Sequence, residues 1–297
     1  MECDAGLRYQ NKAVLVLDSR DRTIKEEANK FSIKLNKPYK DVISIELKKA
    51  QLPNSDYVIN EFNNLFYFQD SEEMENKGDF HQIQLPIGDY SADHDTNDSL
   101  RSLLEQGLNA SNPGNTYSVE VDGSTHQFTI TQESGSGTFN ILFIYPKCGN
   151  KKDCLPNNMA EVLGFSKCNQ TGDTSYTGSG VFNLRPNNYI ILRIKGWERV
   201  DSNRDSVQNS FCILPLDTRL NNFMLSNNCD QLDNEVYQKD FNPPMGTLDR
   251  VNLEILNANG QPYNFRGRNF VLVFEITSLS RYSNYHTKSK IPRHTRL

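Results

Sequence analysis

At 297 residues the chain suits one large domain or two smaller ones, with a core of useful size. Only 36% of it is apolar, aromatics reach 10% and Asn is abundant, which favours strands and long polar loops over a helical fold. The net charge of −5 and a pI near 5.6 exclude nucleic-acid binding by the charge of the whole chain, and no apolar run reaches the roughly 18 residues of a membrane span.

The start, "MECDAGLRYQNK", lacks the apolar centre of a signal peptide, so synthesis in the cytosol and reduced cysteines are expected. Residues 1–30 read as an N-terminal arm with at most one strand, "AVLVLDS" at 13–19. "FSIKLNKPYKDVISIELKKAQLP" (31–53) then carries two alternating runs. Phe31, Ile33 and Leu35 oppose Lys34; Ile43, Ile45 and Leu47 oppose Ser44, Glu46 and Lys48. Period two with one polar face means half-buried strands.

"LFYF" (65–68) and "HQIQLPIGDY" (81–90) are further strand signals. The best helix is "NDSLRSLLEQGLNA" (97–110), with Leu100, Leu103, Leu104 and Leu108 on one face and Asp95, Thr96 or Asp98 available as its cap. A hairpin pattern follows: Val119 and Val121 lead into Asp122-Gly123, and Phe128 and Ile130 lead out. "TFNILFIYP" (138–146) is too apolar to be exposed on both faces, and "NNMAEVLGF" (157–165) reads as one or two helical turns ending at Gly164.

Residues 166–186, rich in Gly, Ser, Thr and Asn, read as a long loop or a boundary. Strands return in "NYIILRIKGWERV" (188–200) and "SFCILPLD" (210–217), and 227–244 reads as a polar loop. "LDRVNLEILNANGQPYNFRGRNFVLVFEI" (248–276) reads as a closing hairpin, with Val251, Leu253 and Ile255 opposite Asn252 and Glu254. The expected fold is mainly β: an antiparallel sandwich or jelly-roll-like body, with an α+β module carrying one clear helix. The expected organisation is an arm at 1–30, a β-rich part with the helix module at 31–165, strands completing the sandwich at 166–280, and a basic tail at 281–297.

Chemical motifs are sparse. No phosphate loop, dinucleotide fingerprint, nucleophile elbow or HExxH zinc motif is present, so no catalytic residue, cofactor or metal site is expected. Cys148, Cys154 and Cys168 are spaced too widely for a zinc site and read as buried or loop thiols, with a Cys148–Cys154 disulfide as the alternative. "DHDTND" (93–98) suggests calcium by its carboxylates but lacks the EF-hand pattern, and reads instead as an acidic helix start. A hydrolase using Asp93, His94 and Asp95 is the catalytic alternative. Trp197, the single tryptophan, reads as a partly buried strand-end residue or as a sugar platform. The final segment, "RYSNYHTKSKIPRHTRL", carries Arg281, Lys288, Lys290, Arg293 and Arg296 and no acid, so it is expected to order on an acidic partner, with an acidic protein, a membrane surface and nucleic acid as the alternatives, or else to serve only as a solvated tail.

Segments 38–68, 83–109, 117–143, 158–166 and 248–276, in that order, resemble structural proteins of large nucleocytoplasmic DNA viruses, notably minor capsid proteins of the giant algal and amoebal viruses. The resemblance spans about 40–276 and lies in strands and turns rather than in a catalytic motif. It implies a non-enzymatic capsid component made in host cytoplasm and located in the virion. It further implies contacts with the major capsid protein and other minor capsid proteins, and no specific nucleic acid. The alternative function is a vertex or attachment protein that binds host glycans.

Overall fold

The computed structural model describes residues 8–22, 27–70, 80–93, 98–135, 137–144, 155–185, 187–216, 223–227 and 237–281. In chain order the first elements are β1 (Arg8–Asp18), β2 (Lys30–Pro53), β3 (Leu65–Asp70), β4 (His81–Gln84), α1 (Leu100–Ser111), β5 (Thr116–Asp122) and β6 (Gln127–Ser134). Next come β7 (Phe139–Leu142), α2 (Ala160–Leu163), β8 (Gln170–Asp173), β9 (Ser175–Thr177), β10 (Tyr189–Ile194) and β11 (Cys212–Pro215). The last are β12 (Phe223–Asn227), β13 (Gln238–Asn257) and β14 (Val271–Arg281). The protein is mainly β, antiparallel throughout its paired strands, and sandwich-like as the alternating patterns imply.

Two compact units result: Met1–Asn54 with Tyr189–Leu297, and Ser55–Asn188. The first is one seven-stranded sheet in the order β1-β14-β2-β13-β10-β11, with β12 pairing β2. Its spine is β2, a single 24-residue strand where the sequence suggests two. Two β-bulges explain how one strand serves so long a sheet. Opposite β14, Thr277 pairs with Ser44 and Ser278 with Val42, so Ile43 is an extra residue. Phe274 pairs with Leu47 and Val273 with Lys49, so Lys48 is another. Each extra residue bends the strand and shifts the side-chain phase by one. The buried positions record this: Val42, Ile45, Leu47, Ala50 and Leu52 step by three, two, three and two. Without the bulges, strict alternation would turn half of these apolar side chains to the outside.

The same sheet closes over its own core. Trp197, just after β10, and Phe274 of β14 belong to strands with β2 and β13 between them, yet their rings are 5.3 Å apart. Phe211, just before β11, meets Trp197 at 5.8 Å. Only a sheet folded across itself brings these strands face to face around one apolar cluster.

The second unit holds a four-stranded sheet, β4-β3-β7-β8, and a three-stranded sheet, β5-β6-β9. Helix α1 packs on β4 and β5 through Leu100, Leu104 and Leu108, all fully buried, with Leu103 packed at the edge of the cluster. An aromatic row joins the two sheets: Phe68 of β3 meets Tyr117 of β5 at 5.6 Å, Tyr117 meets Phe139 of β7 at 5.4 Å, and Phe139 meets Tyr176 of β9 at 5.0 Å. Tyr117 Oη donates to Asp70, which also accepts from Asn112 and Asn115, and burial pushes its phenol pKa up. Gly107 is the contact point of α1 with β4, where a Cβ would lie 2.5 Å from Ile83 Cγ2.

Several expectations change. β13 and β14 are not a hairpin: β2 lies between them and pairs with both, so the polar stretch 258–270 crosses over that strand. β13 also begins at Gln238, within the stretch read as a loop, because β2 supplies it with partners at Ser44, Ile45 and Glu46. Within 1–30, β1 (Arg8–Asp18) is a strand of the sheet, paired with β14 along its whole length. The 166–186 loop contains β8 and β9, short polar strands held by ladders to β7 and β6. The cap of α1 is Ser99, whose hydroxyl accepts from Ser102 N, rather than Asp95, Thr96 or Asp98. The units divide at 54/55 and 188/189, because the segment carrying α1 lies in the chain between β2 and β10.

Candidate functional site

A recess of about 740 Å³ built of described residues lies on the first unit. Strand alternation makes its floor. Phe31, Leu253 and Ile194 turn inward to the apolar cluster, so their neighbours Lys30, Ser32, Asn252, Glu254 and Arg193 turn outward. The turn and loop after β10 add Lys195, Glu198, Asp205, Gln208 and Asn209.

The floor is internally paired. Ser32 Oγ donates to Asn252 Oδ1 at 2.7 Å and accepts from Arg250 Nη1 at 3.0 Å. Glu254 bridges Lys30 at 3.0 Å and Arg193 at 3.7 Å. Arg193 Nη2 also donates to the Ser206 carbonyl at 2.6 Å, tying the loop to the strand. Cations, carboxylates and amides alternate here with no excess of one sign, so the recess suits a polar surface rich in both donors and acceptors. Among the described residues no three His, Cys, Asp or Glu side chains assemble as a metal site.

The sequence candidates fall elsewhere. Trp197 is 1% exposed and enclosed by Phe211 and Phe274, so it offers no sugar platform. Asp93 accepts from Arg101 Nε at 2.8 Å, an ion pair to the first turn of α1. His94 and Asp95 lie outside the described residues, as do Cys148 and Cys154. Cys168 is exposed, while Cys212 is fully buried and its thiol pKa is pushed up by that burial. Arg281 is the last residue of β14, in register with Arg8, and so belongs to the sheet; Lys288, Lys290, Arg293 and Arg296 lie outside the described residues. No helix among the described residues is long and apolar enough to cross a membrane.

The recess was partly legible. Outward Ser32, Asn252 and Glu254 follow from alternation alone. Their convergence does not, because it depends on β2, β13 and β10 being neighbours.

Fold and site together define a mainly β, antiparallel sandwich-like protein with a polar cleft. No family model matches the chain, and no curated protein matches it. Among solved structures, that of a mavirus penton protein is similar over 92% of this chain and 100% of that one, with 9% identity and a TM-score of 0.37.

Proposed function

We propose that the chain is a non-enzymatic structural component of an icosahedral virus capsid, a minor capsid protein that bridges or cements capsomers. One observation carries this reading. The segments in which the sequence resembles minor capsid proteins of large DNA viruses each contribute to one of the two cores: β2 with β3, β4 with α1, β5 through β7, α2, and β13 with β14. A resemblance confined to loops would carry nothing about architecture; this one follows the frame.

In this reading the partners are the major capsid protein and other minor capsid proteins, met through strand edges, and the protein is synthesised in host cytoplasm and located in the virion. The basic stretch with Lys288, Lys290, Arg293 and Arg296 reaches an acidic protein or a membrane surface. Quantitative mass spectrometry of density-purified particles tests the proposal. A fixed ratio to the major capsid protein that survives salt washing is expected; absence from particles, with abundance in infected cells, overturns it. Removing residues 282–297 is expected to reduce incorporation while the fold persists.

A second reading, glycan attachment, now rests on the polar cleft instead of Trp197. Binding of the whole chain on a glycan array, lost in Asn252→Ala, would favour it.

A further inference from the structure

The two ends of the seven-stranded sheet are unlike. β11 is four residues long and ends in Pro215, the kind of short, proline-blunted edge that resists strand addition. β1 is eleven residues long, with no Pro or Gly, and among the described residues no strand pairs with its outer edge. Its outward side chains include Val14, 66% exposed, and Val16, 57% exposed. On β14, Glu275 lies opposite Val14, and the half-buried Val273 lies opposite Val16. An apolar edge of this kind is uncommon on a strand that stays alone.

The outward face of β1 reads Lys12, Val14, Val16, Asp18, and that order is self-complementary. Laid antiparallel against itself about Leu15, it places Val14 opposite Val16 and Lys12 opposite Asp18, each pair occurring twice. Centring on Val14 sets Val16 against Lys12; centring on Ala13 sets Val14 against Lys12. Only the Leu15 register pairs apolar with apolar and cation with anion throughout.

We infer that a second copy of this chain adds its β1 to β1 about a two-fold axis at Leu15, continuing the sheet across the dimer. Opposite residues share a face in an antiparallel pair, so Ala13, Leu15 and Leu17 of both copies stay on the core side. The main-chain hydrogen bonds and the paired valines supply affinity; Lys12, which pairs with Glu275 in its own chain, and Asp18, whose side chain caps the turn after β1 and pairs with Arg20, lie opposite each other across the axis and add a weaker preference for this register. The contact is isologous, so it closes at two copies. It stands apart from the capsid reading, because it is expected of the purified protein in solution.

Sedimentation velocity of the full chain over a range of concentrations tests it. A monomer–dimer equilibrium is expected, and Val14→Lys should abolish the dimer without altering the circular dichroism spectrum, its melting temperature matching that of the unaltered chain at high dilution. Register is read by cross-linking with a short bifunctional thiol reagent, against the background of the chain's own cysteines. Val14→Cys mixed with Val16→Cys should cross-link, and neither variant alone should. A protein that remains monomeric at every concentration overturns the inference. So does a dimer in which the mixture cross-links no better than the separate variants.

Discussion

The two units bury their apolar residues by different routes. The second, Ser55–Asn188, is continuous in sequence and is made of strands of three to eight residues, a helix and a short turn of helix. The first is assembled from both ends of the chain, and its frame is two strands of 24 and 20 residues. In the second unit much of the packing is between near neighbours, as in the β5–β6 pair and its contact with α1. In the first, β1 pairs with β14 at a separation of more than 250 residues, and β2 meets β13 at about 200. Loop closure on that scale must be offset by a large, continuous core, which the long strands and their bulges provide.

The largest break in this comparison is expected from Trp197→Ala. It removes the ring that joins Phe211 to Phe274 across the folded sheet, and should cost about 3–5 kcal/mol. Hydrogen exchange followed by mass spectrometry should show protection falling in β10, β13 and β14 while β5 and β6 keep theirs. Equal loss in both sets would mean that the units do not unfold separately.

Gly107→Ala sharpens the comparison on the other side. Helix propensity alone predicts a gain of about 1 kcal/mol for Ala over Gly. The 2.5 Å approach to Ile83 Cγ2, a buried side chain of β4, predicts a loss of about 1–3 kcal/mol from overpacking. The net expected in chemical denaturation is destabilisation, because the helix cannot lift from the strand without exposing Leu104 and Leu108. Ser99→Ala acts at the start of the same helix. It leaves Ser102 N without its partner and should cost about 1 kcal/mol.

The smallest effect concerns Asp122 in the β5–β6 turn. Its carboxylate accepts from the Ser124 hydroxyl and from the backbone N–H groups of Thr125 and Ser124, which together lower its pKa to about 2. A depressed carboxyl pKa contributes stability that is present above the unfolded value of about 4 and is lost as pH falls towards about 2. The stability gap between the protein and Asp122→Ala, measured by denaturant titration, should therefore be constant above about pH 5 and shrink steadily below it.

The same division governs what could be read in advance. In the second unit the leucine face of α1, the Val119/Val121 and Phe128/Ile130 hairpin and the Gly164 stop were all visible, since each rests on neighbours within a few residues. Gly164 is at φ +76°, and a Cβ there would lie 2.4 Å from the Gly180 carbonyl oxygen, so the stop has both a local and a tertiary cause. β8 and β9 were missed because "QTGD" and "SYT" have no apolar pattern; partners at β7 and β6 make them strands. In the first unit alternation correctly set Val251, Leu253 and Ile255 inside and Asn252 and Glu254 outside. It also made β13 and β14 look like partners, because alternation reports a strand's faces and is silent on its neighbours.

The order of residues was sufficient for the mainly β class, for the inward and outward sides of the long strands and for the apolar face of α1. These follow from backbone periods of 2.0 and 3.6 residues and from the turn chemistry of Gly, Pro, Asn and Asp. It was not sufficient for the interposed β2, the bulges at Ile43 and Lys48, the enclosure of Trp197 or the convergence of Lys30, Ser32, Arg193 and Asn252 on one cleft. Each of these is a contact between segments far apart in the chain, and such contacts are chosen by how well whole faces pack, a property that no local stretch of sequence contains.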